Sequence, residues 1–354
     1  MALVNLLRFS KTSGGIVADE GFWNIFFRRR NHGDNLHRLL TDEMASAWNM
    51  EVVLGTVGYP SVHQELLGET RADMASRHAK GEKPEGVREV ARVVFEALQR
   101  AVRRRIDQKL RFWFGFESAD LHRGYYEKNG EKIPLGNETV KEAARAQAKG
   151  SKRDRLLTSV FDARAAVFGF DPLYGVTAFY LSPENAICGY VHEGFDCIGT
   201  GKYASGLSLG LDFNAKTMMM RKAGYPPAEG VYELLRSSVL GVDHFKETAG
   251  TLHLALLDAD AEPGRRYREI FDERARLAGE VVRASMGEML ERETAVALLE
   301  KIVFQEAPLD QAEGEMFDQA SDALALQFLL RGYKKKEAPL CARRVREARD
   351  GQGT

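Results

Sequence analysis

Residues 164–201 read RAAVFGFDPLYGVTAFYLSPENAICGYVHEGFDCIGTG, and the turn chemistry inside this stretch decides the architecture. Arg164–Phe170 and Val176–Leu181 are apolar, strand-length runs separated by the turn Asp171-Pro172-Leu173-Tyr174-Gly175. Ser182-Pro183-Glu184-Asn185 turns the chain again into Ala186–Val191, and Phe195–Ile198 follows after a short break. Connections this short permit only antiparallel neighbours, because a parallel pair needs a crossover of about a dozen residues or more. Gly199-Thr200-Gly201 then opens a helix.

Toward the N-terminus, Ala2–Phe9, the turn Lys11-Thr12-Ser13-Gly14 and Gly15–Ala18 read as a hairpin. A third run, Met50–Leu54, ends at Gly55-Thr56-Val57-Gly58-Tyr59-Pro60. Two helices follow, the first capped by Ser61 and the second running from about Pro84 to Leu110. In the second, Val87, Val90, Ala91, Val94, Leu98, Ala101 and Val102 recur at three- and four-residue steps and share one face. Residues 111–158 break the rhythm and read as an insertion: Phe112–Phe116 as an aromatic strand, Lys128-Asn129-Gly130-Glu131 as a hairpin turn, Glu138–Arg155 as a charged surface helix. Toward the C-terminus, a helix at Ala228–Leu240 leads through Asp243–Gly250 into a strand at Thr251–Leu257. Helices are expected near Arg266–Leu290, Glu293–Ile302 and Phe317–Arg331, before a basic tail with Lys334-Lys335-Lys336.

Composition narrows the function classes. Fifty basic against 51 acidic residues in 354 leave a net charge of −1, which gives no global pull toward nucleic acid or anionic membrane. Three cysteines, Cys188, Cys197 and Cys341, are too few and too scattered for a disulfide framework and point to a reducing, cytoplasmic setting. The N-terminus lacks the pattern of a signal peptide, and no run reaches the length of a membrane span.

Several motifs resemble the middle of proteasome β-type subunits, in the N-terminal-nucleophile hydrolase superfamily. They are Val167-Phe168-Gly169-Phe170-Asp171-Pro172, Phe179-Tyr180-Leu181-Ser182-Pro183 and Phe195-Asp196-Cys197-Ile198-Gly199-Thr200-Gly201. Thr248-Ala249-Gly250-Thr251 through Asp258 is similar to that family's Ser-Gly-Gly turn and next strand. Gly15-Ile16-Val17-Ala18-Asp19 resembles its second strand, and Leu54-Gly55-Thr56-Val57-Gly58 its strand-to-helix junction. The order of elements carries the resemblance, over roughly residues 1–260 without the insertion. It implies an α+β fold, a four-layer αββα sandwich at 1–258, with 259–354 as a helical C-terminal extension. It also implies a divergent bacterial or archaeal proteasome-like subunit in a self-assembled ring, with copies of itself or paralogous subunits as partners.

In that family the chain's first residue supplies both a hydroxyl nucleophile and an α-amine that takes its proton; such an amine titrates near ~7.7–8.0. The resemblance places Ala2 at that position, which has no nucleophile. Thr12 and Ser13 lie on the wrong side of the hairpin turn. The family's lysine belongs on the strand before Met50, yet no lysine occurs between Lys11 and Lys80, and only Arg28–Arg30 and Arg38 stand in. An arginine stays charged and does not share protons in the same way. Asp19 (or Glu20), Thr200 with Gly201, and Asp243 with Thr248 match supporting positions, and a backbone N–H of a glycine turn would hold the oxyanion. The expectation is a non-catalytic or altered subunit. The alternative is an active amide hydrolase, a threonine- or serine-type peptidase acting on a peptide or protein.

Other motifs have plainer readings. Gly199-Thr200-Gly201-Lys202-Tyr203-Ala204 matches a dinucleotide fingerprint, but an antiparallel meander precedes it and no paired parallel strand follows. Cys188, His192 and Cys197 lack standard zinc spacing and a fourth ligand. No cofactor and no metal are therefore expected, and no nucleic-acid or membrane partner. Trp23, Phe26 and Phe27 beside Arg28-Arg29-Arg30 read as a subunit interface or ion-paired loop, and Met218-Met219-Met220 as adaptable packing between subunits.

Overall fold

The computed structural model describes residues 2–19, 21–24, 29–32, 35–58, 60–149, 163–184, 186–244, 252–262 and 265–334. Glu20, Phe26–Arg28, the end of the charged surface helix, Thr248 and the tail beyond Lys334 lie outside them.

The predicted hairpin forms as β1 (Leu3–Arg8) and β2 (Ser13–Asp19). Its turn closes on Ser10, whose hydroxyl accepts from the Thr12 and Ser13 amides at 3.0 Å each. β3 (Gly21–Asn24) and β4 (Arg29–His32) make a separate ribbon. β5 (Leu36–Arg38) and α1 (Asp42–Trp48) come next. Thr41 caps α1, and Asn49 ends it in the left-handed region. β6 (Glu51–Val57) runs into α2 (Pro60–Ala79), which starts at the proline and not after a Ser61 cap.

α3 (Val87–Phe114) buries every residue of the predicted apolar stripe. Its last turn also takes up Phe112–Phe114 of the strand expected at Phe112–Phe116. The helical period continues through Ile106 and Leu110, and nothing interrupts it before Gly115, a left-handed C-cap. Aromatic content suggested a strand, and the uninterrupted period won. α4 (Ser118–Arg123), the hairpin β7 (Tyr125–Lys128) and β8 (Glu131–Pro134), and α5 (Glu138–Lys149) complete the insertion, with the turn at Asn129-Gly130 as read.

β9 (Arg164–Asp171), β10 (Gly175–Ser182) and β11 (Ile187–Tyr190) form the antiparallel meander. β12 (Phe195–Gly199) does not continue it. Residues 191–194 carry the chain to the other sheet, where β12 pairs with β1, so the expectation that every short connection joins neighbours fails at this step. α6 (Lys202–Ala215), α7 (Met218–Ala223) and α8 (Pro227–His244) lead to β13 (Leu252–Asp258). The expected helix over Arg266–Leu290 is corrected to β14 (Tyr267–Ile270), an edge strand on β13, followed by α9 (Asp272–Met286). α10 (Arg292–Leu299), a π-helical turn at Glu300–Phe304, α11 (Leu309–Asp318) and α12 (Ala323–Lys334) finish the described chain.

The result is a mixed α+β fold with two five-stranded antiparallel sheets, ordered β12-β1-β2-β13-β14 and β11-β10-β9-β6-β5. Strand alternation explains how they meet. Val4, Leu6 and Ile16 of the first sheet share a buried cluster with Val53, Ala166 and Phe168 of the second. The opposite faces take helices: Leu3, Val17 and Leu254 with α8 to α12, and Val52, Leu54 and Val167 with α1 to α3. Gly14 makes room for Phe168, since a Cβ there would lie 2.6 Å from the ring. Among the described residues, no helix is long and apolar enough to cross a membrane.

Candidate functional site

The head of β1 gathers most of the residues that the sequence singled out. β1 and β2 pair with Val4 opposite Ala18, so one step on Leu3 meets Asp19. The Leu3 amide donates to Asp19 Oδ1 at 2.6 Å, and Asp19 is fully buried. On the other side Leu3 pairs with Gly199 of β12, and the Thr200 amide donates to the Ala2 carbonyl at 3.0 Å.

The Gly199-Thr200-Gly201 turn is shaped for this contact. Gly199 has φ 92°, and a Cβ on it would collide with the Ala2 carbonyl oxygen. Gly201 has φ 91°, starts α6 without a side-chain cap, and lies so close to α8 that a Cβ would sit 2.6 Å from the Gly241 carbonyl. Val57, at the end of β6, borders the same spot, with Cγ1 3.1 Å from where a Gly199 Cβ would be. Both glycine-bearing strand-to-helix junctions therefore abut at the head of β1.

Asn35 is the residue that sequence reasoning missed. Immediately before β5, its Nδ2 donates to the Asp19 carbonyl at 2.6 Å, and its own carbonyl accepts from the Thr56 amide at 2.9 Å. The short β5 hides the signal: Leu36 faces the sheet-to-sheet core opposite Gly55, which leaves Asn35 at the Asp19 end of the strand. Arg38 is at the other end. It grips Glu51 through Nη2 to Oε1 at 2.6 Å and Nε to Oε2 at 3.0 Å, also pairs with Asp42, and stacks over Tyr267. Its expected role as a stand-in for a catalytic lysine is therefore corrected: two residues of extended strand carry it to the far end. Arg29 and Arg30 lie on β4.

The remaining predicted residues are spread out. Asp243, near the end of α8, lies 3.9 Å from the buried Arg283 of α9. Thr248 is outside the described residues. Thr12 and Ser13 sit at the opposite end of the hairpin from Ala2, engaged with the Ser10 hydroxyl. Cys188 is on β11 of one sheet and Cys197 on β12 of the other. Behind β6, His63 of α2 is buried and hydrogen-bonded to the Val57 backbone, and its Nε2 has no partner among the described residues. Burial drives its pKa down to about 4, so the imidazole is neutral at pH 7.

This arrangement fastens a strand end. Asp19 takes an internal peptide N–H, the Thr200 N–H is committed to Ala2, and neither Ala2 nor Leu3 has a hydroxyl.

No protein-family model matches the chain. No curated protein matches it either. Solved structures do. It is similar to Anbu (ancestral beta-subunit) from Yersinia bercovieri, with TM-score 0.51 and 10% identity over 81% of this chain and 93% of that one. It is also similar to an Anbu (Gly-1) mutant from Hyphomicrobium sp. strain MC1, with TM-score 0.52 and 13% identity over 81% and 97%. These neighbours belong to a proteasome-like but distinct group, which overturns the kinship with proteasome β-type subunits of the N-terminal-nucleophile superfamily expected from the motifs. The quoted motifs are turns and strand ends, local features that fit an architecture without separating its branches. At this identity the likeness speaks for the fold alone: the chain shares the architecture of these Anbu structures.

Proposed function

We propose that this chain is a non-catalytic, Anbu-like subunit of a self-assembling complex. Its two packed sheets and flanking helices are read as a four-layer αββα sandwich carried by residues 1–258, with 259–354 as an extension that adds edge strand β14 and packs its helices beside α8 on the outer face of the first sheet. The Anbu neighbours support a subunit role, since one of them is an ancestral beta-subunit by name. Partners are then copies of the same chain or close paralogues.

One observation carries the non-catalytic half: Asp19 accepts the internal amide of Leu3. A self-activating nucleophile needs a free amine and a hydroxyl on one residue beside such a carboxylate. Here that place holds a peptide nitrogen and an isobutyl side chain. Removing Met1 alone does not change this, because Ala2 still acylates Leu3.

The test is incubation of the purified protein with a β-lactone or epoxyketone probe, electrophiles that label nucleophilic hydroxyls, followed by intact mass and peptide mapping. The expected result is no adduct and no cleavage of fluorogenic peptides. A stoichiometric adduct on any Thr or Ser overturns the reading in favour of an active amide hydrolase.

A further inference from the structure

α3 outruns the helix beside it. The ion pairs that join the two run antiparallel, from Arg77 with Glu89 at one end to Arg100 with Glu69, and Arg104 and Arg105 with Glu65, at the other. In that register Pro60, the first residue of α2, stands roughly level with Lys109, so the last turn of α3 projects about 7 Å past it. Arg105, Lys109, Phe112 and Trp113 share one stripe of that end, and with Gln108 they line a hollow of about 210 Å³. Phe112 and Trp113 are 79% and 65% exposed, and their rings meet edge to face at 5.2 Å.

The charge of the hollow is one-sided. Arg105 is held by Glu65 and by Gln108 Oε1 at 3.1 Å, and Arg111 is held by Glu117. Lys109 has no ion pair and no carboxylate lines the hollow, among the described residues. Size and shape narrow the occupant further. Pockets for small molecules run from about 300 to 1,000 Å³, so this one is small for a cofactor and suits one large side chain. The perpendicular rings offer no pair of parallel platforms on which successive bases would stack. A wedge into a bilayer protrudes, whereas here a cavity lies between the side chains.

We infer that the free end of α3 binds an acidic segment of another protein. One aromatic or aliphatic side chain of that segment sits among Lys109, Phe112 and Trp113, and a neighbouring carboxylate meets the Lys109 ammonium. Exposed aromatics beside an unpaired cation are the composition of a binding hot spot, and the cation selects the charge of the partner. The inference stands apart from the proposed function, since it requires neither assembly nor any catalytic state.

The test is a random-peptide array probed with the purified full chain, followed by fluorescence-polarisation titration of the selected peptides. Wild type is expected to select peptides with one large apolar residue flanked by Asp or Glu. Trp113→Ser should weaken the best of them by about 10-fold or more and leave the melting curve unchanged, because the ring stands in solvent. Lys109→Glu should exchange the acidic flanks for Lys and Arg, an inversion that loss of packing alone does not produce. No selected peptide, selection without charge preference, or selection unaltered by Lys109→Glu overturns the inference. So does tighter binding of wild type to oligo-dT or to phosphatidylglycerol vesicles that Trp113→Ser abolishes, which would assign the hollow to nucleic acid or to membrane.

Discussion

Each end of the sheet pair buries a carboxylate, Asp19 beside the head of β1 and Glu51 at the start of β6, and the two are compensated differently. At the head of β1, the backbone amide of Leu3 takes the Asp19 carboxylate, and strand register sets that geometry. At the far end, the guanidinium of Arg38 grips Glu51, with Asp42, Tyr267 and Arg266 over Phe170 closing the rim. The first solution is a hydrogen bond from the main chain and fits a structural joint. The second depends on side chains whose own desolvation works against them: burial pushes the Glu51 carboxyl up despite the attraction of Arg38.

The largest effect is expected from breaking the far end. Arg38→Ala strands Glu51, only 2% exposed, without its cation, and should cost about 3–5 kcal/mol in urea unfolding. Replacing both partners, Arg38→Met with Glu51→Leu, should return stability to within about 1 kcal/mol of wild type. If the single variant costs under about 1 kcal/mol, the contrast between the ends disappears.

Next comes pH, through His63 behind the site end. Its folded pKa of about 4 lies below the ordinary 6.5, so between those values the unfolded chain binds a proton that the folded chain refuses. Stability from this residue is complete above pH 6.5 and falls as pH drops toward 4, by roughly 3 kcal/mol across the window. His63→Asn, which keeps a donor for the Val57 backbone, should flatten that part of a pH series of melting curves. An identical acid slope in the variant would show that the imidazole is not held neutral.

Smaller again is Asp19→Asn. The substitution keeps an acceptor for the Leu3 amide but weakens a charge-assisted bond, with an expected loss of about 1–2 kcal/mol and no change in assembly mass. A gain in stability would mean that the carboxylate is there for chemistry and not for the joint.

How much of this the sequence disclosed follows from the range of each interaction. Turns and periods are local, so the β1–β2 hairpin, the α3 stripe and the Asn129-Gly130 turn were readable from a few residues each. The glycine turn at 199–201 was also legible, because positive φ leaves a compositional mark. The crossing of β12 to the other sheet was not, since strand length and turn residues are the same whether a chain turns back or crosses over. Asn35 and Arg38 show the same limit at the site. They are three residues apart, and only pairing with β6 decides which of them sits beside Asp19.

The smallest effect is expected where the sequence pointed most directly, at a missing lysine. Asn35→Lys places an ammonium at the β5 end nearest Asp19 and should change stability by no more than about 1 kcal/mol, because the position is only partly buried and the Asp19 main-chain carbonyl remains there to accept from it. It should produce no peptide cleavage and no adduct with the β-lactone probe. A lysine tunes a nucleophile but does not supply one, and Leu3 remains an internal peptide without a hydroxyl. The informative comparison is a chain that starts at residue 3, with Leu3→Thr added to Asn35→Lys, assayed by intact mass against the single variant. Labelling confined to that chain would show that the head of β1 keeps the geometry for catalysis and lacks only the reactive groups. Labelling of the single variant would place the nucleophile elsewhere and end the case for a purely structural joint.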